Sequence, residues 1–473
     1  MRIGPLEIGS INEWMPVDGP VVTWHPTEAS LAKAAQAPVS PIPVGYMQAQ
    51  HIRGYTSQRD KGLDYSRLMV VSCDAPGQCD IRAMTYVVNA HLRRQDTYRS
   101  WFAYDGDGTL VRHAIENPRD IEFTPVEHGL MHVDEIRDLV VNIPDPLNWD
   151  CFRYGIIQGE ESFTFFASID HVHVDASVVG VTLMEFFMMY SALVAGGAPL
   201  ELPPAGSYAE FCERQHDYTA SLTTQSPEVQ AWVEFAKASG NSLPGFPLPL
   251  GDPAMRWESA MTTMSMLDRD QMVAFETACT DAGARFIGGV LACIALTQHE
   301  LTGGEDYHGL TPRDTRRDAT DAMTQGWFTG LIPITVPIRG ESFADAARAA
   351  QESFDSNKSM AELPFDRVIE LEPALSPAPP NFPVINFLDA GTAPLSALLT
   401  AELGDLNVGV YSDARYSYQL SIYVARVEDQ TAVTVMYPDN PEARESVDRY
   451  LEVLKSVFEL VAKQGDWSDR DVA

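Results

Sequence analysis

The stretch Phe163-Thr-Phe-Phe-Ala-Ser-Ile-Asp170-His171-Val-His173-Val-Asp175-Ala176 runs as an apolar, strand-like segment and ends abruptly in two histidines and two aspartates. A strand that delivers His171 and Asp175 to the turn at its end sets an imidazole, the side chain suited to accept a proton near pH 7, beside a carboxylate that can fix its surroundings. General base catalysis is the chemistry such a pair suggests. Two other readings stay open on the local sequence. A histidine at a strand end can be a structural hydrogen-bonder. Alternatively, strand alternation would bring His171, His173 and Asp175 to one face, as ligands of a metallo-hydrolase centre of the His-x-His-x-Asp type. Against that, Ala176 stands where the metallo-hydrolase signature has a further His, and His216, His299 and His308 lack ligand spacing. No metal is expected.

Few other residues compete for chemistry. The chain has no Gly-x-Gly-x-x-Gly, no phosphate-binding loop and no Gly-x-Ser-x-Gly elbow. Asp105-Gly-Asp-Gly108 opens like a calcium loop but lacks the later ligands, so it reads as a hairpin turn. Arg313, Arg316 and Arg317 form one tight basic cluster in Thr311-Pro-Arg-Asp-Thr-Arg-Arg317. A solvated face is the favoured reading, and an anion site the alternative.

The elements that must position these residues are strands and helices in both halves. Arg67–Ser72 and Ser162–Ile169 are strand-like, and Ala83–Arg94 has helical apolar spacing. Asp268 is placed to cap a helix stopping near Gly283, Ser342 with Asp345 to cap another, and Asn440-Pro441 to start a long helix ending near Lys463. Strands are predicted at Ile332–Ile338, Val384–Leu388, Leu420–Ala425 and Ala432–Tyr437. Pro/Gly-rich stretches at Gly196–Gly206, Leu243–Pro253 and Glu372–Pro383 resist both helix and sheet. The first two bracket a helical segment at about 207–239. The predicted organisation is an N-terminal lobe (1–195), a linker or hinge (196–253) and a C-terminal lobe (254–473), both lobes α/β (α+β).

Composition agrees. A chain of 473 residues exceeds what one growing core accommodates, so domains of about 200 residues are expected. Its 33 basic and 66 acidic side chains give a net charge of −33, which repels nucleic acid and anionic lipid and obliges any anionic substrate to find a local basic pocket. Six cysteines without CxxC pairs, and an N-terminus (Met-Arg-Ile-Gly-Pro-Leu-Glu) without a signal-peptide core, point to a reducing cytoplasm. The longest near-apolar stretch, Phe286–Thr297, falls short of the about 20 residues a bilayer span requires. No transmembrane segment is expected, and attachment at the inner membrane face would be peripheral.

Ile169-Asp-His-Val-His-Val-Asp-Ala-Ser177 resembles the His-His-x-x-x-Asp-Gly motif of the condensation-domain and chloramphenicol-acetyltransferase-like acyltransferases. Further segments match that superfamily in the same order. These are Ala49-Gln50 with Arg53, Arg94-Gln-Asp-Thr-Tyr-Arg-Ser-Trp-Phe102, Tyr208-Ala-Glu-Phe211, Gly326-Trp-Phe-Thr-Gly330, Pro364-Phe-Asp366, and Asp413-Ala-Arg415 through Leu420. Thr97-Tyr-Arg-Ser-Trp101, Trp149-Asp-Cys-Phe152, Phe246–Pro253 and Pro438-Asp-Asn-Pro441 are similar to the mycobacterial polyketide-associated acyltransferases, in the branch that acylates trehalose. Two departures stand out: Asp170 replaces the first His of the motif, and Ala176 its Gly.

The resemblance implies two chloramphenicol-acetyltransferase-like lobes in a V, with a central substrate tunnel and His171 at its middle as general base. It implies a structural ion pair of Asp175 with an arginine, Arg94 by motif and Arg99 next, and substrate contacts from Thr329, Gly330 and Arg415, to which the basic cluster adds Arg313 as a candidate. It implies a long-chain acyl-CoA as co-substrate, no bound cofactor, and trehalose as acceptor, with trehalose-2-sulfate as the alternative. A free-standing enzyme is expected because no carrier domain follows, with a polyketide synthase and a lipid transporter as partners. A catalytically dead docking module for lipid synthases is the reading from another class.

Overall fold

A computed structural model describes residues 2–3, 6–338, 342–379, 381–390, 406–415, 420–427 and 429–467. The first half of the chain supplies β1 (Arg2–Ile3), β2 (Leu6–Ser10), β3 (Gly19–Pro26), β4 (Leu68–Pro76), β5 (Ser100–Tyr104), β6 (Leu110–Ala114), β7 (Phe123–Met131), β8 (Phe152–Gln158) and β9 (Ser162–Asp170). The second supplies β10 (Ser259–Asp268), β11 (Asp306–Asp314), β12 (Thr329–Pro337), β13 (Pro383–Asp389), β14 (Val408–Ser412), β15 (Leu420–Arg426) and β16 (Gln430–Pro438).

The larger sheet runs β1-β2-β14-β4-β9-β8-β3-β7. Its strand β9 is paired antiparallel on both sides, Met69 opposite Ile169 on β4 and Phe152 opposite Ile169 on β8. Alternation sorts its side chains, because successive strand residues point to opposite faces. Phe163, Phe165, Ala167 and Ile169 enter the core under the helices Ile81–Arg94 and Val178–Val194, while Phe166 joins Trp14, Ile136 and Val140 on the other face. Burial on both faces explains the unbroken apolar run that the sequence shows. Residues of β14 lie far along the chain, within 254–473, yet the strand inserts between β2 and β4, parallel to the first and antiparallel to the second.

The smaller sheet is β10-β16-β15-β13, and β11 pairs with β12 as a two-stranded ribbon. The helices Arg269–Asp281, Phe286–Thr302, Phe343–Ser356 and Pro441–Gln464 share its core. Their starts are those read from the sequence: Asp268 forms a capping box with Gln271, Ser342 accepts from the Asp345 amide, and Asn440 caps a helix with Pro441 in its first turn. The segment predicted as one helix near 207–239 is two, Tyr208–Ser221 and Pro227–Ala238. Pro227 cannot continue a preceding helix and starts a new one instead. Asp105-Gly-Asp-Gly108 is the turn between β5 and β6, its Asp105 carboxylate accepting the amides of Asp107 and Thr109.

All six cysteines are unpaired. Among the described residues no single helix is long and apolar enough to cross a membrane; the helices Arg269–Asp281 and Phe286–Thr302 pass that test only as a pair bent by 95°.

Candidate active site

The strand β9 stops where its last side chain turns back on the chain. Asp170 accepts the Val172 amide at 3.1 Å and so opens a single 3₁₀ turn, His171–His173. The carboxylate is fully buried, and two groups meet it: Arg67 Nη1 at 2.8 Å and His51 Nε2 at 2.9 Å. Burial alone would raise this carboxyl, but His51 and Arg67 outweigh it and hold it below the usual range. Arg67 is itself anchored. Its guanidinium donates to the Ile143 and Pro144 carbonyls, its amide donates to Asp413 at 3.0 Å, and its carbonyl accepts the His171 amide at 2.7 Å. An aspartate at 170 is therefore accommodated by a buried cation.

The turn sends its two histidines in opposite directions. His173 is buried, with Nδ1 3.1 Å from Thr97 Oγ1 and Nε2 3.3 Å from Cys151 Sγ. His171 points the other way, under Trp327 at 3.9 Å between ring centroids. The one-face alignment of His171, His173 and Asp175 predicted from strand alternation is thus not formed, because the strand ends at Asp170. Among the described residues no group of three or more His, Cys, Asp or Glu side chains is placed to hold a metal. The Nδ1 of His171 is sealed off without a partner in another residue, which leaves Nε2 as the nitrogen open to a substrate. Burial, with the nearby His51 adding to it, lowers this imidazole to about 4, while its own backbone, Asp175 and Asp170 push the other way. At neutral pH it is an uncharged proton acceptor.

Asp175 closes the turn from the opposite side. Its carboxylate accepts Arg316 Nη1 at 2.8 Å and Nη2 at 3.2 Å, the Phe328 amide at 2.9 Å, and the Ser177 amide and hydroxyl at 3.0 and 2.7 Å. Arg316 also lies 4.2 Å over the Phe328 ring. The ion-pair partner is therefore Arg316 and not Arg94. Arg94 ends the helix Ile81–Arg94, whose face packs on Val178–Val194, and there it donates to Glu185 at 2.7 Å beside His91 and Gln95. Arg99 does not take the place either: its Nε is buried without a partner.

The basic cluster consequently splits. Arg316 is buried, which corrects the solvated-face reading for that residue, whereas Arg317 is exposed and pairs with Glu362 at 3.2 Å. Arg313 is exposed on β11 opposite Gly330 on β12, and Thr329 begins β12 opposite Asp314, directly after Phe328. A Cβ at Gly330 would collide with the Ala361 carbonyl, so glycine here serves a close backbone approach. Arg415 forms a β-bridge with Glu258 and donates its amide to Asp413, the carboxylate that also accepts the Arg67 amide. Residues 416–419 of the Asp413–Leu420 segment lie outside the described ones. The sequence reading missed His51, Arg67 and Trp327. His51 and Trp327 sit inside segments that the resemblance marked, so the signal was present; Arg67 carried none.

The family model described as Condensation domain matches residues 49–472. Acyltransferase PapA3 of Mycobacterium tuberculosis (strain ATCC 25618 / H37Rv) is 65% identical, over 98% of this chain and 98% of its own. The 2'-acyl-2-O-sulfo-trehalose (hydroxy)phthioceranyltransferase PapA1 of Mycobacterium tuberculosis (strain CDC 1551 / Oshkosh) is 53% identical over 98% of this chain and 90% of its own. The solved PapA2 acyl transferase superposes with a TM-score of 0.92 at 49% identity, covering 96% of this chain and 99% of that one. The mixed α/β architecture implied by the resemblance is borne out by that superposition. The family model over residues 49–472, 65% identity to PapA3 along nearly the whole length and a backbone matching that of PapA2 at 0.92 make this chain a member of the condensation-domain family, in its branch of Pap acyltransferases.

Proposed function

We propose that the enzyme moves a long-chain acyl group from acyl-CoA to a hydroxyl of trehalose, with His171 as general base. The observation that carries this reading is the state of His171: neutral at physiological pH, with Nε2 open, on a turn clamped by Asp170–Arg67 before it and Asp175–Arg316 after it. Nε2 takes the proton of a sugar hydroxyl as its oxygen attacks the thioester carbonyl. The tetrahedral intermediate collapses, the carbon–sulfur bond breaks, and the imidazolium returns the proton to the leaving thiolate. Such a base contributes about 10²–10⁴-fold, and much of the rest comes from holding the two substrates together.

The acceptor follows from charge. A sulfated sugar needs a free cation nearby, and the donors of Arg316 are spent on Asp175, Asp314 and the carbonyls of Asp321 and Thr324. Arg317 pairs with Glu362 at the surface and Arg313 is exposed on β11, so neither forms a buried, pre-set anion site. This favours unsulfated trehalose. The second reading, a sulfated trehalose, has in its favour the name of the PapA1 relative. Purified enzyme given palmitoyl-CoA should release thiol faster with trehalose than without it. With trehalose and trehalose-2-sulfate in equal competition, the unsulfated ester should predominate; a clear preference for the sulfated sugar would reverse the choice of acceptor, and no acceleration by either sugar would remove trehalose altogether.

A further inference from the structure

The mechanism above uses one imidazole, and the site holds a second. The helix Tyr46–Asp60 lays one face on the His171 turn: Gln48 Nε2 donates to the Val172 carbonyl at 2.8 Å, and His51, one turn on, reaches Asp170. Asp170 is a carboxylate and only accepts, so the nitrogen facing it, His51 Nε2, carries the hydrogen. In the neutral ring that fixes Nδ1 as an acceptor. Among the described residues nothing donates to it, on a side chain that is 4% exposed. The His51 ring sits 6.1 Å from the His171 ring, 5.5 Å from Trp327 and 5.3 Å from Tyr65, centroid to centroid. Trp327 thus covers both histidines. Arg67 alone would pair Asp170, so charge balance gives no reason for an oriented imidazole at this spot.

We infer that His51 contacts the acceptor substrate: Nδ1, oriented by the bond to Asp170, accepts a hydrogen bond from the hydroxyl next to the one that His171 deprotonates. The ligand class is a polyol with adjacent hydroxyls. Two rings 6.1 Å apart can each take one such hydroxyl within a hydrogen-bond reach of about 2.6–3.2 Å. The bond selects which hydroxyl is acylated and holds the sugar in place of water.

This inference rests on His171 being the base, and the test separates the two. Palmitoyl-CoA and trehalose are supplied to the wild-type enzyme, His51→Ala, His51→Gln and His171→Ala, and ester formed is divided by free fatty acid formed, with folding checked by circular dichroism. One lost hydrogen bond corresponds to about tenfold, so the ester fraction relative to hydrolysis should fall about tenfold in His51→Ala. It should fall about threefold in His51→Gln, which keeps a donor for Asp170 but displaces the acceptor atom. The ester that remains should be spread over more than one hydroxyl. If either folded variant keeps the wild-type partition and a single positional product, or if transfer and hydrolysis drop by the same factor, His51 is structural only. If His171→Ala keeps full transfer, it is the base assignment that fails.

Discussion

Removing Arg316 separates the observed clamp from the one that the motif suggested. Its side chain is 7% exposed and that of Asp175 4%, so Arg316→Ala leaves a desolvated carboxylate without its cation, at a cost of about 3–5 kcal/mol. Asp175→Ala should lie at the upper end of that range, because the Phe328 amide and the Ser177 hydroxyl lose their acceptor as well. Two controls fix the scale. Arg317 pairs with Glu362 at 55% exposure, and its removal should cost about 0–1 kcal/mol. Arg94 is 19% exposed, and Glu185 keeps His91 and Gln95 when it is lost, so Arg94→Ala should fall below Arg316→Ala. The assay is urea unfolding of the four single variants and of two doubles, Asp175→Ala/Arg316→Ala and Asp175→Ala/Arg94→Ala. In the first double the two losses should fall well short of additivity, since the pair has then been removed as a unit. Were Arg316→Ala no worse than Arg317→Ala, or Arg94→Ala and Asp175→Ala coupled instead, the assignment of the clamp would be refuted.

His171→Ala should yield a folded protein whose acyl transfer is at least about two orders of magnitude slower; wild-type turnover in the variant would eliminate the base, whereas no turnover by either protein is the result expected of a docking module. The competent form of His171 is the neutral one, so kcat/KM should be flat around neutrality and fall about tenfold per pH unit below about 4. An acid limb centred at 6.5 or higher would contradict the burial seen here. Stability moves with the same groups: His25, His171 and His173 are each lowered to about 4, chiefly by burial. The unfolded chain therefore protonates first, and urea midpoints should decline as pH drops from about 6.5 towards 4. Gly330→Ala should destabilise by about 1–3 kcal/mol through overpacking on Ala361, and a neutral result would show that β12 shifts freely.

Much of the scaffold was legible because local chemistry dictates it. Asp268, Ser342 and Asn440 cap helices wherever the fold carries them, and the run Phe163–Ile169 had to be a strand buried on both faces. The position of His171 was legible for the same reason, a strand ending in polar residues. Its company was not. Period-two alternation predicts that His173 and Asp175 share its face, and one hydrogen bond from the Val172 amide to Asp170 cancels that by ending the strand before the first histidine. The arginine that completes the site is 141 positions from Asp175, and nothing local distinguishes Arg316, which is buried, from Arg313 and Arg317, which are exposed.

The exchange of the motif's first histidine for Asp170 shows what that distance means for the chemistry. Read along the chain it is a departure that puts the shape of the turn in question. In space it is matched by Arg67 and His51, and through the Arg67 amide it reaches Asp413, the residue that follows β14. The clamp on the other side, from Asp175 to Arg316 and the Phe328 amide, also ends in the second half of the chain. The base is thus carried on a turn of the larger sheet while both of its restraints reach segments that arrive late in the sequence. A change in how β14 or the 315–328 segment seats would alter the orientation of His171 without touching the motif itself.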